Sequence, residues 1–145
     1  MADENTNNRF RMSLPEGWAD QSTYIFDGPE SGGFKHNLTL VIDNALPEDD
    51  LDLFAQERID AVVGATPGME ILKQEKKNLP NGNEAVEAVI KWIPVDDKII
   101  FVKKVYLIVD GVGFTFSAEF TKQTIKTIGL QVDEMINGFS PDPTG

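Results

Sequence analysis

Apolar positions along the chain fall into two periods. Alternation by two marks strands, and spacing by three and four marks helices. Arg9 to Leu14 alternates, with Phe10, Met12 and Leu14 on one side. After the turn Pro15-Glu16-Gly17, Thr23 to Asp27 predicts a second short strand. Gly28 to Gly33 is rich in Gly, Pro and Ser and predicts a loop or hairpin tip. Asn37 to Asp43 predicts a third strand, with Leu38, Leu40 and Ile42 on one face and Thr39 and Val41 on the other. The period then changes. Pro47 suits a first helical turn, and Glu48, Asp49 and Asp50 suit the positive end of its dipole. Leu51, Phe54, Ala55, Ile59, Val62 and Val63 follow on one stripe, an amphipathic helix of about four turns. Gly64 and Pro67-Gly68 end it.

Longer strands come next. Met69 to Asn78 alternates weakly and carries Lys73, Glu75 and Lys77. Pro80-Asn81-Gly82-Asn83 is a turn before Ala85 to Ile93. Lys98 to Val109 follows through Pro94-Val95-Asp96-Asp97, and Asp110-Gly111 turns into Gly113 to Phe120. Thr121 is placed to cap a second helix, whose stripe is Ile125, Ile128, Val132, Met135 and Ile136, stopped by Asn137-Gly138. Three strands, a helix, four strands and a helix predict an α+β fold, an antiparallel sheet with both helices on one face.

Hairpin arithmetic assigns the faces. A tip at Asp96-Asp97 sets Val95 opposite Lys98, Trp92 opposite Phe101 and Ala88 opposite Val105. A tip at Asp110-Gly111 sets Leu107 opposite Phe114, Val105 opposite Phe116 and Phe101 opposite Phe120. The helix-covered face then holds Val86, Ala88, Ile90, Trp92, Phe101, Val105, Leu107, Phe114, Phe116 and Phe120. Lys103 falls among them, opposite Ala118. The other face carries Val89, Ile93, Ile100, Val102, Tyr106 and Ile108 beside Glu87, Lys91, Lys104, Thr115 and Ser117. It is too apolar for water alone, so a partner, a second copy or the N-terminal strands must cover it.

Composition narrows the functions. The 145 residues suffice for one domain, read as 9–139 with a flexible N-terminus at 1–8 and a flexible tail at 140–145. Lys and Arg number 13 and Asp and Glu 24, so 13 − 24 = −11. That balance argues against nucleic acid and against an anionic membrane surface. Without cysteine there is no disulfide, thiolate nucleophile or thiolate metal site. The polar, acidic start shows no signal peptide, and no run approaches the roughly 18 apolar residues of a membrane span. The expectation is a cytoplasmic protein that does not insert into a membrane.

Candidate chemistry is sparse. His36 is the only histidine, beside Gly32, Gly33, Phe34 and Lys35, which predict a loop, and no nucleophile-elbow pattern surrounds any serine. The acids at 48–52 lack the spacing and glycine of a calcium loop. Asp96-Asp97 reads as a turn, and Gly111-Val112-Gly113 as a hairpin rather than a dinucleotide loop. No catalytic, cofactor or metal residue is assigned, and an enzyme is not expected.

One ordered set of motifs points further. Phe10-Arg11-Met12-Ser13-Leu14-Pro15-Glu16-Gly17-Trp18-Ala19-Asp20-Gln21-Ser22 resembles the opening of the DcrB-like family. The similarity continues through Asn37 to Val41, Leu46-Pro47, Pro67 to Leu72, the Trp92 strand and Ile136-Asn137-Gly138-Phe139. The resemblance implies a PsbP-like α+β fold: a curved antiparallel sheet of about six to seven strands, two main helices packed on it. Within that group the chain looks most like the Eag-type chaperones of type VI secretion. The resemblance then implies no cofactor, a homodimer, and a groove that shields the N-terminal transmembrane helices of an effector. By position the groove residues are Ile25, Thr39, Val41, Gln56, Val89, Ile100, Val102 and Tyr106. Lys103-Lys104 departs from the family pattern, which has uncharged polar residues there. The alternative is an adaptor for a folded partner, as in a GTPase-binding member of the same fold.

Overall fold

A computed structural model describes residues 4–5, 12–18, 21–44, 50–95 and 98–141. Strands β1 (Glu4–Asn5) and β2 (Met12–Ser13) pair with each other in a separate two-stranded ribbon. Strands β3 (Gln21–Ser31), β4 (Phe34–Asp43), β5 (Met69–Asn78), β6 (Glu84–Val95), β7 (Lys98–Val109) and β8 (Val112–Phe120) form one antiparallel sheet. Its order is β3-β4-β8-β7-β6-β5, with helices α1 (Leu51–Ala65) and α2 (Ile128–Asn137) packed on it. This is the α+β antiparallel architecture that the sequence predicts.

Turn chemistry explains the hairpins. Gly32 and Gly33 take φ of 61° and 78°, so β3 and β4 meet in a two-residue turn and the expected loop at 28–31 is strand. Asp110 and Gly111 take φ of 52° and 77°, the left-handed pair that a twisted hairpin favours. Helix α1 starts at Asp50, whose side chain accepts from the Leu53 amide at 3.2 Å. Thr121 does not cap α2, whose N-cap is Thr127; its Oγ1 accepts from the Thr124 amide at 3.1 Å, ahead of a 3-10 turn (Thr124–Lys126). The expected helix start at Pro47, Glu48 and Asp49, the tip at Asp96-Asp97, residues 9–11 and most of both expected flexible ends lie outside the described residues.

The helices lie on opposite faces, which corrects the expectation of one shared face. Val95 does pair with Lys98, but Trp92 then pairs with Ile100. Strand β6 thus advances three residues where β7 advances two. Pro94 has no amide to give the ladder, and the extra residue is a bulge beside it. A shift of one residue exchanges every side chain between faces. Val86, Ala88, Ile90 and Trp92 therefore sit with Tyr106, Lys104, Val102 and Ile100. There α1 covers them with Phe54, Ala55 and Ile59, all fully buried. The opposite face places Leu38, Leu40, Val105, Leu107, Phe116 and Phe120 under Ile128, Val132 and Ile136 of α2. The β7–β8 register is as predicted, Leu107 opposite Phe114 and Val105 opposite Phe116.

The bulge also accounts for Lys103. Glu87 moves to the α2 face and lies beside it, buried to 3% exposure. Lys103 Nζ reaches Glu87 at 3.4 Å and also Asp133 of α2, while Lys73 and Lys77 of β5 each meet Glu87 at 3.1 Å. Burial alone pushes the Glu87 carboxyl up, but hydrogen bonds from Lys73 and Lys77 and the charge of Lys103 bring it down to about 2. No helix among the described residues is long and apolar enough to cross a membrane.

Candidate binding surface

Only part of the α1 face lies under α1. The cross-strand register lays out the remainder as rows running from the β3 edge toward the helix. One row is Ile25, Thr39, Ser117 and Lys104. The next is Thr23, Val41, Thr115 and Tyr106. Thr39, Val41, Thr115 and Ser117 are partly exposed, and Ile25 is 63% exposed. Their short side chains leave a low strip across β3, β4 and β8. A pocket of about 150 Å³ opens at one end, lined by Lys35, Asn37, Thr39, Ser117 and Glu119 among others. The strip is a surface on which another polypeptide can lie close to the sheet.

Helix α1 walls the strip. The Phe54 ring meets Tyr106 edge-on at 6.1 Å, and Arg58 stacks over Phe54 at 3.9 Å. Arg58 also donates to Asp43 of β4 at 3.1 Å, tying the helix across the sheet. Below it, the Tyr106 hydroxyl and Thr115 Oγ1 are buried with no hydrogen-bond partner. Burial pushes the Tyr106 phenol up to about 12, slightly offset by the Arg58 charge. Lys104 is partly buried, and burial moves its ammonium below the usual lysine range, partly opposed by Glu119.

The structure separates the eight groove residues expected from the sequence. Ile25, Thr39 and Val41 share the open strip. Ile100, Val102 and Tyr106 occupy the same face but are buried, at 7%, 3% and 1% exposure. Ile100 and Val102 pack with Ile90, Trp92, Val63 and Phe34, and Tyr106 packs beneath α1. Gln56 is exposed on α1, linking Asp60 and Gln74 by hydrogen bonds of 2.8 Å. Val89 is on the other face, opposite Lys73 and Lys103, because of the β6 bulge. Thr115, Ser117 and Lys104 belong to the strip although they were not in that set. The β7–β8 register, read correctly from Asp110-Gly111, already placed them on one face.

His36 is on strand β4 rather than in a loop, and it is buried. Its Nδ1 meets the Pro29 carbonyl at 3.0 Å, and its Nε2 meets Thr124 Oγ1 at 2.9 Å. A carbonyl only accepts, so Nδ1 donates to Pro29. The ring joins β3, β4 and the 3-10 turn, wedged between Phe34 and Phe120. Among the described residues no group of three or more His, Asp and Glu is placed to hold a metal.

No family model matches the chain, and no curated protein matches it. Solved structures do. A Pseudomonas aeruginosa protein of unknown function, PA94, superposes with a TM-score of 0.76 at 16% identity, over 97% of this chain and 96% of that one. Cyanobacterial PsbP from Synechocystis sp. PCC 6803 superposes with a TM-score of 0.55 at 13% identity, over 97% and 93%. The fold is therefore PsbP-like, as the sequence resemblance implies.

Proposed function

We propose that this chain is a non-catalytic binding protein that holds an apolar helix of a partner on the open strip beside α1. In the finer form of this reading it is a cytoplasmic, homodimeric chaperone of the DcrB-like, Eag type. Its client would be the transmembrane helices at the N-terminus of a type VI secretion effector. One observation carries the reading. The part of the α1 face away from the helix presents small side chains and an exposed Ile25. A helix lying there would cover apolar area at about 25 cal/mol per Å² and meet small hydroxyls with its own small polar groups.

The test is co-expression with an apolar segment of about 20 residues from the N-terminus of such an effector, fused to a solubility carrier. The complex should co-purify, with the segment protected from proteolysis. Thr39→Trp, which fills the strip, and Ile25→Asp should abolish recovery without lowering the melting temperature of the free protein. Full recovery with both folded variants would remove the strip from the reading. Binding of a folded partner that weakens steeply with salt, in place of the apolar segment, would point to the adaptor alternative.

A further inference from the structure

Two partly buried lysines of the sheet, Lys77 and Lys103, have acids within ion-pair distance, while Lys91 and Lys104 have none among the described residues. Lys103, with a side chain 13% exposed, meets Glu87 and Asp133. Lys104 follows it on the chain, points to the opposite face, and has no hydrogen bond or ion pair among the described residues. It lies between Ala88 of β6 and Ser117 of β8, at the inner end of the row that begins with Ile25. Glu119 acts on it from beyond ion-pair distance. In the adjoining row the hydroxyls of Tyr106 and Thr115 are buried and unpartnered. The inner end of the strip thus holds one partly buried cation with no ion-pair partner among the described residues.

We infer that Lys104 is a specificity-determining residue of the strip and selects a partner helix that carries one carboxylate among its apolar side chains. The inference rests on the helix-binding reading above and adds the chemistry of the partner. A wholly apolar helix laid over the strip would strip the remaining water from Lys104 and leave its charge without a direct ion-pair partner, which weakens binding. A carboxylate removes that cost by accepting a short charge-assisted hydrogen bond from the ammonium. A phosphate-rich partner fits poorly, because Glu119 borders the site and the chain carries a net charge of −11. The acid also ranks the clients: an apolar helix with no charge binds more weakly, and one with a lysine most weakly.

The experiment uses the full chain and designed 20-residue helical peptides of Leu, Ala and Ser on a solubility carrier. A single Glu, Gln or Lys is scanned along the central turn, and binding is read by fluorescence anisotropy. The Glu peptide at its best position should bind at least about tenfold more tightly than the Gln peptide, and the Lys peptide most weakly. Lys104→Gln should collapse the Glu preference and leave the Gln peptide unchanged or tighter, while Lys104→Arg keeps the preference. Equal affinity of Glu and Gln peptides for the unmodified protein overturns the inference and leaves helix binding standing. So does a Glu preference that survives Lys104→Gln. Failure of every peptide to bind overturns the helix-binding reading and this inference together. Should Lys104→Gln not fold, the comparison of peptides on the unmodified protein decides alone.

Discussion

Glu87 holds three lysines from a buried position in the middle of β6. Its carboxyl sits at about 2 when folded against 4.5 as the ordinary value. A depressed acid contributes stability above its unfolded value and loses it as pH falls through the folded one. The expected window of loss is therefore pH 5 down to 2. After allowance for water around the half-exposed Lys73 and Lys77, the contribution is about 2 kcal/mol. Chemical denaturation of the wild type should show that loss across the window, and Glu87→Gln should flatten the acid limb. At neutral pH the same variant should cost about 2–4 kcal/mol, because Lys103 would stay buried with Asp133 alone. An unchanged acid limb would remove Glu87 as its source. Lys103 was visible in the sequence as a charge on an apolar face. Its partner was not, because a one-residue error in β6 had sent Glu87 to the other side.

Helix α1 was legible, since its apolar stripe repeats cleanly, but its N-cap was not, because Asp50 read with Glu48 and Asp49 as one more first-turn acid. The bulge in β6 was not. Ala85, Val86, Glu87 and Ala88 are all buried, so this central stretch has no alternation to reveal which side faces which helix. Pro94 was the available sign, as proline inside a strand marks a bulge or an edge. Because α1 lands on Tyr106, loosening the helix should be readable at that ring. Phe54→Ala removes a fully buried side chain and should cost about 3–5 kcal/mol. In the surviving folded state, ultraviolet titration should find the Tyr106 phenol below its native value of about 12, nearer 10. A phenol that still titrates near 12 would mean that the sheet, not α1, buries it. Asp50→Ala should cost about 1 kcal/mol by thermal melting, the usual worth of an N-cap.

At the scale of the whole molecule, the two end strands of the six-stranded sheet differ in character. β5 carries Lys73, Glu75, Lys76 and Lys77, the charges that discourage another strand from pairing. On β3 the run from Gln21 to Phe26 is uncharged, and it exposes Tyr24 at 42% and Phe26 at 47%. Its irregularity falls beyond Asp27, leaving that run straight against β4. If the proposed homodimer forms, β3 is the edge able to pair with its own copy. Pairing there would extend the strip containing Ile25 from one copy toward the next. Two copies each carrying −11 repel, so salt should strengthen the association rather than weaken it. Sedimentation should show more dimer as sodium chloride rises from about 0.05 to about 0.5 M, as screening shortens from roughly 14 to 4 Å. Tyr24→Lys with Phe26→Lys should give a folded monomer, because both side chains are already substantially exposed and lie on the face opposite the strip. A dimer that ignores both changes, or that dissolves with added salt, would place the contact on another surface held by charge.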